Sequence, residues 1–159
     1  MEIYDLIERY SGSREKQQKA IFSTLFIGEN RIRTVFDKDY PDITLKQFML
    51  LVMLRQSKEQ MTFTKLGKLL GCSRQNIKKL AFMLQQKGFV TIQQNLDDPR
   101  AASIIPTEKL GQYFDSIAAS HEKSLDVLFS VYTDEEIAAL FQLLMKLYDG
   151  IRLLEGTDA

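Results

Sequence analysis

The sequence contains very little of the chemistry from which metal centres, disulfides and many active sites are built. Its 159 residues include one cysteine, Cys72, and one histidine, His121. One cysteine cannot form a disulfide within the chain, and one histidine offers no metal cluster. No glycine-rich phosphate loop, nucleophile elbow or spaced carboxylate pair stands out either. We therefore expect no metal, no cofactor and no enzymatic activity.

Long apolar runs are missing as well. No run approaches the roughly 18 residues that a membrane helix needs, and the acidic N-terminal segment does not resemble a signal peptide. The composition, 45% hydrophobic and 26% charged, is that of an ordinary globular protein. These features predict a cytoplasmic protein without a membrane partner, folded as one domain over residues 1–159.

Charge is balanced over the whole chain but unevenly distributed along it. There are 21 basic and 21 acidic residues, yet residues 62–90 contain no Asp or Glu. That segment carries six basic residues: Lys65, Lys68, Arg74, Lys78, Lys79 and Lys87. A basic segment suits a polyanionic partner such as DNA, although a lysine-rich solvated helix face is also common. Both interpretations remain open from charge alone.

The apolar pattern of the same segment predicts two short helices. Leu66, Leu69 and Leu70 share one face of the first helix, and Gly71 can adopt the left-handed conformation that ends it. Ser73 is a suitable N-cap for the second helix. The buried stripe of that second helix is predicted to consist of Ile77, Leu80, Ala81 and Leu84. Two helices joined by a tight turn form a helix-turn-helix.

The opposite face of the second helix is basic and rich in amides. It is predicted to present Gln75, Lys78, Lys79, Phe82 and Gln86, with Arg74 and Asn76 at its leading end. Arg and Lys can bind guanine O6 and N7, and amides can pair with adenine, so we assign base contacts to Arg74, Gln75, Asn76 and Lys78. Phosphate contacts are assigned to Ser73, Lys79, Lys65 and Lys68.

A β-hairpin is predicted immediately after this helix. Residues 89–92 are aromatic and β-branched, residues 95–100 are typical of a turn, and residues 101–105 form a second short strand. Such a hairpin would be the wing of a winged helix. Arg100 at its tip is predicted to enter the minor groove, with Asp98 orienting it.

Taken in order, the motifs SRQNIKKL, KGFV and DPRAASIIPTEKLG resemble the MarR-type winged helix-turn-helix transcriptional regulators. The matching positions are Ser73, Leu80, Leu84, Lys87, Gly88, Val90, Asp98, Arg100, Ala101, Ile104, Thr107, Glu108 and Lys109. The chain departs from the family where Phe82 and Met83 replace residues that are often charged, which suggests that this part of the helix faces a neighbouring element or a ligand instead of DNA. The wing carries only one basic residue, Arg100, and Pro106 is expected to end its second strand.

The resemblance, together with amphipathic patterns at both ends, implies a mainly α fold with a small β-hairpin wing. A winged helix-turn-helix over residues 44–106 is flanked by dimerisation helices over residues 1–40 and 107–155. Capping signals at Thr44 and at Thr133 mark two of the helix starts. A homodimer would present two recognition helices about 34 Å apart to a pseudo-palindromic site in double-stranded DNA. The expected function is that of a repressor.

The resemblance also implies a small aromatic effector, bound in a cleft between the dimerisation helices and the winged domain, that loosens the hold on DNA. Candidate lining residues are Phe22, Phe26, Phe48, Met49 and Met53, although aromatic and Met residues at helical spacing usually belong to a core. Cys72 is interpreted as a turn-packing residue rather than a redox sensor. Two alternatives remain: a protein–protein interaction module, and a ligand-binding protein that uses the same fold without DNA.

Overall fold

The computed structural model describes residues 2–156, which form seven α-helices and three short β-strands. In chain order these elements are α1 Ile3–Tyr10, α2 Arg14–Asp39, α3 Leu45–Gln56, β1 Met61–Thr62, α4 Phe63–Leu70, α5 Arg74–Gln86, β2 Val90–Gln94, β3 Ala102–Pro106, α6 Glu108–Phe129 and α7 Asp134–Leu154. The predicted fold class, mainly α with a small β-hairpin wing, is confirmed. Within residues 2–156, no helix is both long and apolar enough to cross a membrane.

The chain divides into two compact units, one ending at Leu110 and the other beginning at Gly111. The first unit contains α1 to α5 and the whole sheet, and α6 begins in it. The second unit contains the rest of α6 and α7.

The sheet has three antiparallel strands in the order β1-β3-β2. Ile104 of β3 pairs with Ile92 on one side and with Met61 on the other. Strand β1 was not predicted, because a two-residue strand is too short to produce an alternating pattern. The predicted hairpin is confirmed with small shifts: Ala101 precedes β3, and Pro106 is its last residue, opposite Val90.

The helix starts follow the capping residues in the sequence. Thr44 and Gln47 form a capping box at α3, in which the Thr44 hydroxyl accepts from the Gln47 N–H at 3.2 Å. Thr133 and Glu136 form the equivalent box at α7. Both boxes were predicted, because a capping box is defined by residues only three positions apart. The N-cap of α4 is Thr62, which sequence analysis had not identified.

The core of the first unit confirms most of the predicted stripe of α5. Ile77, Ala81 and Leu84 are fully buried, and Leu80 is half-buried. Leu69, predicted to share a helix face with Leu66 and Leu70, is 56% exposed, while Leu66 is buried. At about 100° per residue, Leu69 lies roughly 110° from the centre of the buried face of α4. That face is formed by Phe63, Leu66, Gly67 and Leu70, of which Leu70 is half-buried.

The terminal helices leave many apolar side chains uncovered. Neither α1 nor α7 contains a buried residue. On α2, Phe22 and Phe26 are 65% and 58% exposed, and on α7 Phe141 is 63% exposed. Other exposed apolar residues of these helices include Ile3, Ile7, Ile21, Val35, Leu143, Tyr148 and Leu153. Both compact units therefore carry apolar surface that this chain does not bury.

Candidate nucleic-acid interface

The turn of the helix-turn-helix is held by backbone contacts that depend on two glycines. Gly71 ends α4 with a φ of 65°, in the left-handed region that glycine adopts without strain. The N–H of Cys72 donates to the carbonyl of Gly67 at 2.8 Å. A Cβ on Gly67 would lie 2.7 Å from the carbonyl oxygen of Cys72. Gly67 therefore permits the close approach of α4 to the turn, a role that sequence analysis had not assigned.

The second helix begins as predicted. The hydroxyl of Ser73 accepts a hydrogen bond of 3.2 Å from the N–H of Asn76, which confirms Ser73 as the N-cap of α5. This hydroxyl is used in capping, although the residue remains exposed. The half-buried Cys72 precedes it, with its sulfur 3.6 Å from the carbonyl oxygen of Leu70.

The polar face of α5 is exposed along the two turns assigned to DNA contacts. Arg74, Gln75, Asn76, Lys78 and Lys79 are all exposed. They span about 8 Å along the helix axis at a rise of about 1.5 Å per residue. The structure therefore brings five of the ten candidate DNA-contacting residues together on one helix, where three cationic and two amide side chains reach solvent.

The same face continues into an exposed apolar residue. Phe82 is 45% exposed and Met83 is 40% exposed, so a neighbouring element of the chain covers neither of them fully. The ammonium of Lys78 lies 5.8 Å from the centroid of the Phe82 ring, within the range of a cation–π interaction. That this part of the helix faces a neighbouring element or a ligand instead of DNA stays a prediction.

The tip of the wing carries Arg100, which is exposed in the turn between β2 and β3. The carboxylate of Asp98 accepts a hydrogen bond of 3.0 Å from the backbone N–H of Arg100. This contact fixes the backbone of the turn, whereas the sequence prediction had Asp98 orient the Arg100 side chain. The two residues are thus neighbours, as expected, but they are joined through the main chain.

A buried network of polar side chains stabilises the turn between β2 and β3. Asn95 is 6% exposed, and its Oδ1 accepts from the N–H groups of Asp97 and Asp98 at 3.0 and 2.8 Å. Its Nδ2 donates to the buried hydroxyl of Ser103 at 2.5 Å. Gln60, just before β1, accepts from that hydroxyl at 3.4 Å. The turn was predicted from the sequence, but this network was not. Its one local signal is an Asn at the start of a turn, because Ser103 and Gln60 are distant in the chain.

Two lysines of the basic segment have partners within the chain. Lys65 forms an exposed salt bridge with Glu59, so its ammonium must leave or share that carboxylate to bind a phosphate. Lys87 donates to the carbonyl of Asp42 at 2.5 Å and to Oε1 of the buried Gln47 at 3.2 Å. The positive charge available at the interface is therefore smaller than the sequence count. Lys68, by contrast, is exposed on α4.

The five candidate effector-binding residues differ in their surroundings. Phe22 and Phe26 form an edge-to-face pair on α2, with ring centroids 5.1 Å apart. Phe48 is buried beside Phe36, at 4.9 Å between centroids, whereas Met49 is exposed and Met53 half-buried. A groove of about 720 Å³ runs between α1 and α2, and one of about 550 Å³ lies in the second unit. Neither groove is lined by any of the five residues. An effector site formed by these five residues stays a prediction.

Residues 43–102 match the sequence profile described as the MarR family. This segment runs from two residues before α3 to the first residue of β3 and contains all ten candidate DNA-contacting residues. Over these 60 residues, less than half of the chain, the sequence is similar to the MarR family. Members of the MarR family are transcriptional regulators rather than enzymes. The exposed polar face of α5 therefore lies within the segment that is similar to this family.

Solved MarR structures extend the similarity of fold beyond that segment. A MarR protein from Peptoclostridium difficile is 21% identical, with a TM-score of 0.74 over 82% of this chain and 86% of that one. MepR of S. aureus, solved with DNA, is 18% identical, with a TM-score of 0.71 over 87% and 99%. PcaV of Streptomyces coelicolor, solved with its natural ligand, is 16% identical, with a TM-score of 0.63 over 76% and 89%. Among proteins of curated function, none matches the sequence.

Proposed function

We propose that this MarR-type protein is a homodimeric, sequence-specific repressor that binds a pseudo-palindromic operator in double-stranded DNA. The observation that carries the proposal is the exposed row of cationic and amide side chains over the first two turns of α5, Arg74 to Lys79. In a helix-turn-helix, this end of the second helix contacts base edges in the major groove. The structurally similar MepR, solved with DNA, supports the same use of the fold.

The exposed residues divide into two roles. Arg74 and Lys78 would donate to guanine O6 and N7, and Gln75 and Asn76 would pair with adenine. Lys79 and the exposed Lys68 would hold phosphates, with Lys65 as a further phosphate contact once its ammonium is released from Glu59. Ser73 would contribute mainly by fixing the start of the helix. Arg100 would reach the minor groove from the turn that Asp98 fixes.

The dimer part of the proposal rests on the uncovered apolar surface of the terminal helices. Exposed apolar patches larger than a few hundred Å² are uncommon on monomeric proteins and mark interaction sites. A second copy of this chain is the partner that also explains the DNA-binding face, because two-fold dimers present two recognition helices to two half-sites. Sedimentation equilibrium at micromolar concentration is expected to give twice the mass of the 18.4 kDa chain.

The effector part of the proposal is a small aromatic compound that lowers the affinity for DNA. The structurally similar PcaV, solved with its natural ligand, supports a ligand site in a protein of this fold. On this chain, Phe22, Phe26, Phe48, Met49 and Met53 are the candidates to line it. A survey of phenolic compounds by thermal shift and calorimetry tests this part. Absence of both heat and thermal shift across the survey would contradict it.

The central test is selection of tight binders from a random double-stranded DNA library, followed by salt titration of the selected site. Enrichment of an inverted repeat is expected, with half-sites about one helical turn apart. In Lys78→Ala/Lys79→Ala the log–log salt slope should be shallower by about 2 or more, because each lost phosphate contact removes about 0.9 and a dimer contains two copies.

A matched control removes the same charge elsewhere. Lys123 and Lys146 are exposed lysines of the second unit, and Lys123→Ala/Lys146→Ala should leave the salt slope unchanged. If no sequence is enriched and the two double variants have the same salt slope, the proposal that α5 binds DNA is wrong. The protein–protein interaction module and the ligand-binding protein would then be the remaining functions to test.

A further inference from the structure

We infer that Phe82 is a base-reading residue, which packs its ring against the C5-methyl group of one thymine in each operator half-site. The inference rests on the proposed DNA-binding function and adds a specificity determinant to it. Phe82 was not among the residues that the sequence assigned to DNA.

The position of Phe82 on α5 supports this role. At about 100° per residue, Phe82 lies roughly 140° around the helix from the buried Ile77 and about 20° from Gln75. The ring therefore projects from the same face as the residues proposed to read bases. Phe82 is about 10 Å further along the helix axis than Gln75, which corresponds to about three base-pair steps of 3.4 Å. A helix lying in the groove can place both side chains against one half-site.

The surroundings of Phe82 leave its ring available. The Phe82 side chain is 45% exposed, and removing its apolar surface from water is favourable. A partner that covers the ring therefore gains binding energy. In the DNA major groove the apolar group is the thymine C5-methyl, and contact with Phe is one of the ways in which proteins recognise it. Cytosine lacks this methyl group, so the contact discriminates T·A from C·G.

The neighbouring Lys78 narrows the prediction to a short sequence. Its ammonium lies 5.8 Å from the centroid of the Phe82 ring. This distance is shorter than two base-pair steps, since each step is about 3.4 Å. If Lys78 donates to guanine O6 or N7, we expect the thymine read by Phe82 within about two base pairs of that guanine. The half-site should therefore contain a guanine and a thymine at this spacing, on either strand.

The test uses methyl deletion in the selected operator. Each thymine of the half-site is replaced in turn by deoxyuridine, which removes the methyl group and keeps base pairing, and affinity is measured by fluorescence anisotropy. One replacement should weaken wild-type binding by about fourfold when made in one half-site, and by about 15-fold when made in both, from the loss of one buried methyl per half-site. Phe82→Ala should be insensitive at that position and retain the wild-type response at all others. Phe82→Leu should recover part of the sensitivity.

Met83→Ala is the matched control, since Met83 is a comparably exposed apolar neighbour that lies about 100° further around the helix. It should keep the wild-type deoxyuridine response. Circular dichroism melting confirms that each variant is folded. An unchanged response to deoxyuridine in Phe82→Ala at every position would overturn the assignment of Phe82 and leave DNA binding intact. If the wild type selects no DNA sequence, both this inference and the proposed function fail.

Discussion

Oε1 of Gln85 accepts a hydrogen bond of 2.8 Å from the backbone N–H of Ile92, which joins the last turn of α5 to strand β2 of the wing. The recognition helix and the wing contact DNA in different grooves if the proposed function is correct, so their relative orientation affects how well both fit. A side-chain bond to the backbone of a strand restricts that orientation more than apolar packing does, because it is directional. Gln85 is therefore a positioning residue for the wing.

Replacing Gln85 by Leu removes the acceptor and keeps a side chain of similar length. The Ile92 amide should then exchange with deuterium about three- to tenfold faster, since one hydrogen bond contributes about 0.5–1.5 kcal/mol. Hydrogen exchange followed by NMR measures this directly. Gln86→Leu, at the exposed position next to it, is the control and should leave Ile92 unchanged. Equal exchange of this amide in both variants would mean that the Gln85 side chain does not protect it.

Asn95 is predicted to hold the tip of the wing in shape. Asn95→Ala removes two acceptor contacts to the turn backbone and leaves the buried Ser103 hydroxyl without its closest partner. The free energy of unfolding should fall by about 1–3 kcal/mol, and DNA affinity should fall as far as in Arg100→Ala. Urea denaturation and anisotropy titration measure the two effects. Leu96→Ala, 82% exposed in the same turn, should leave the unfolding free energy unchanged. A fully stable Asn95→Ala would contradict the importance of the network.

Sequence patterns predicted the elements whose signals are local. Ser73 and the stripe of α5 lie within one helix, and the capping box at Thr44 involves residues three positions apart, so neighbouring residues define them. Strand β1 escaped prediction because its two residues become a strand only by pairing with β3. The role of Lys87 was missed for a similar reason, since its partners Asp42 and Gln47 are 45 and 40 positions away.

Gly67 is predicted to stabilise the tight turn of the helix-turn-helix. In Gly67→Ala, the new methyl group would meet the Cys72 carbonyl oxygen at 2.7 Å, and a backbone atom cannot move aside as a flexible side chain can. The cost should be about 1–3 kcal/mol of unfolding free energy, as for other overpacked sites. Gly12→Ala has open space around the added methyl group and should leave stability nearly unchanged. Chemical denaturation of both variants makes the comparison, and equal stability would show that the turn relaxes at little cost.

Lys87 and Lys79 belong to the same basic segment but should have opposite effects when replaced. Lys87 is half-buried, and its ammonium binds the Asp42 carbonyl and the buried Gln47 side chain, so it connects the end of α5 to the loop before α3 and to α3 itself. Lys79 is exposed on the polar face of α5. Methionine replaces either lysine with a side chain of similar bulk and no charge. The difference between the two variants therefore reports where each ammonium acts.

Lys87→Met should lower the free energy of unfolding by about 1.5–3 kcal/mol, because the hydrogen bonds from a charged donor to the Asp42 carbonyl and to the buried Gln47 side chain are lost. Its log–log salt slope for DNA binding should match that of the wild type. Lys79→Met should keep wild-type stability and reduce the slope by about 1.8 in a dimer, from one phosphate contact in each subunit. Urea denaturation and salt titration are carried out on both proteins. A reduced slope in Lys87→Met would mean that its ammonium leaves Asp42 and Gln47 to bind a phosphate. An unchanged slope in Lys79→Met would remove Lys79 from the DNA interface.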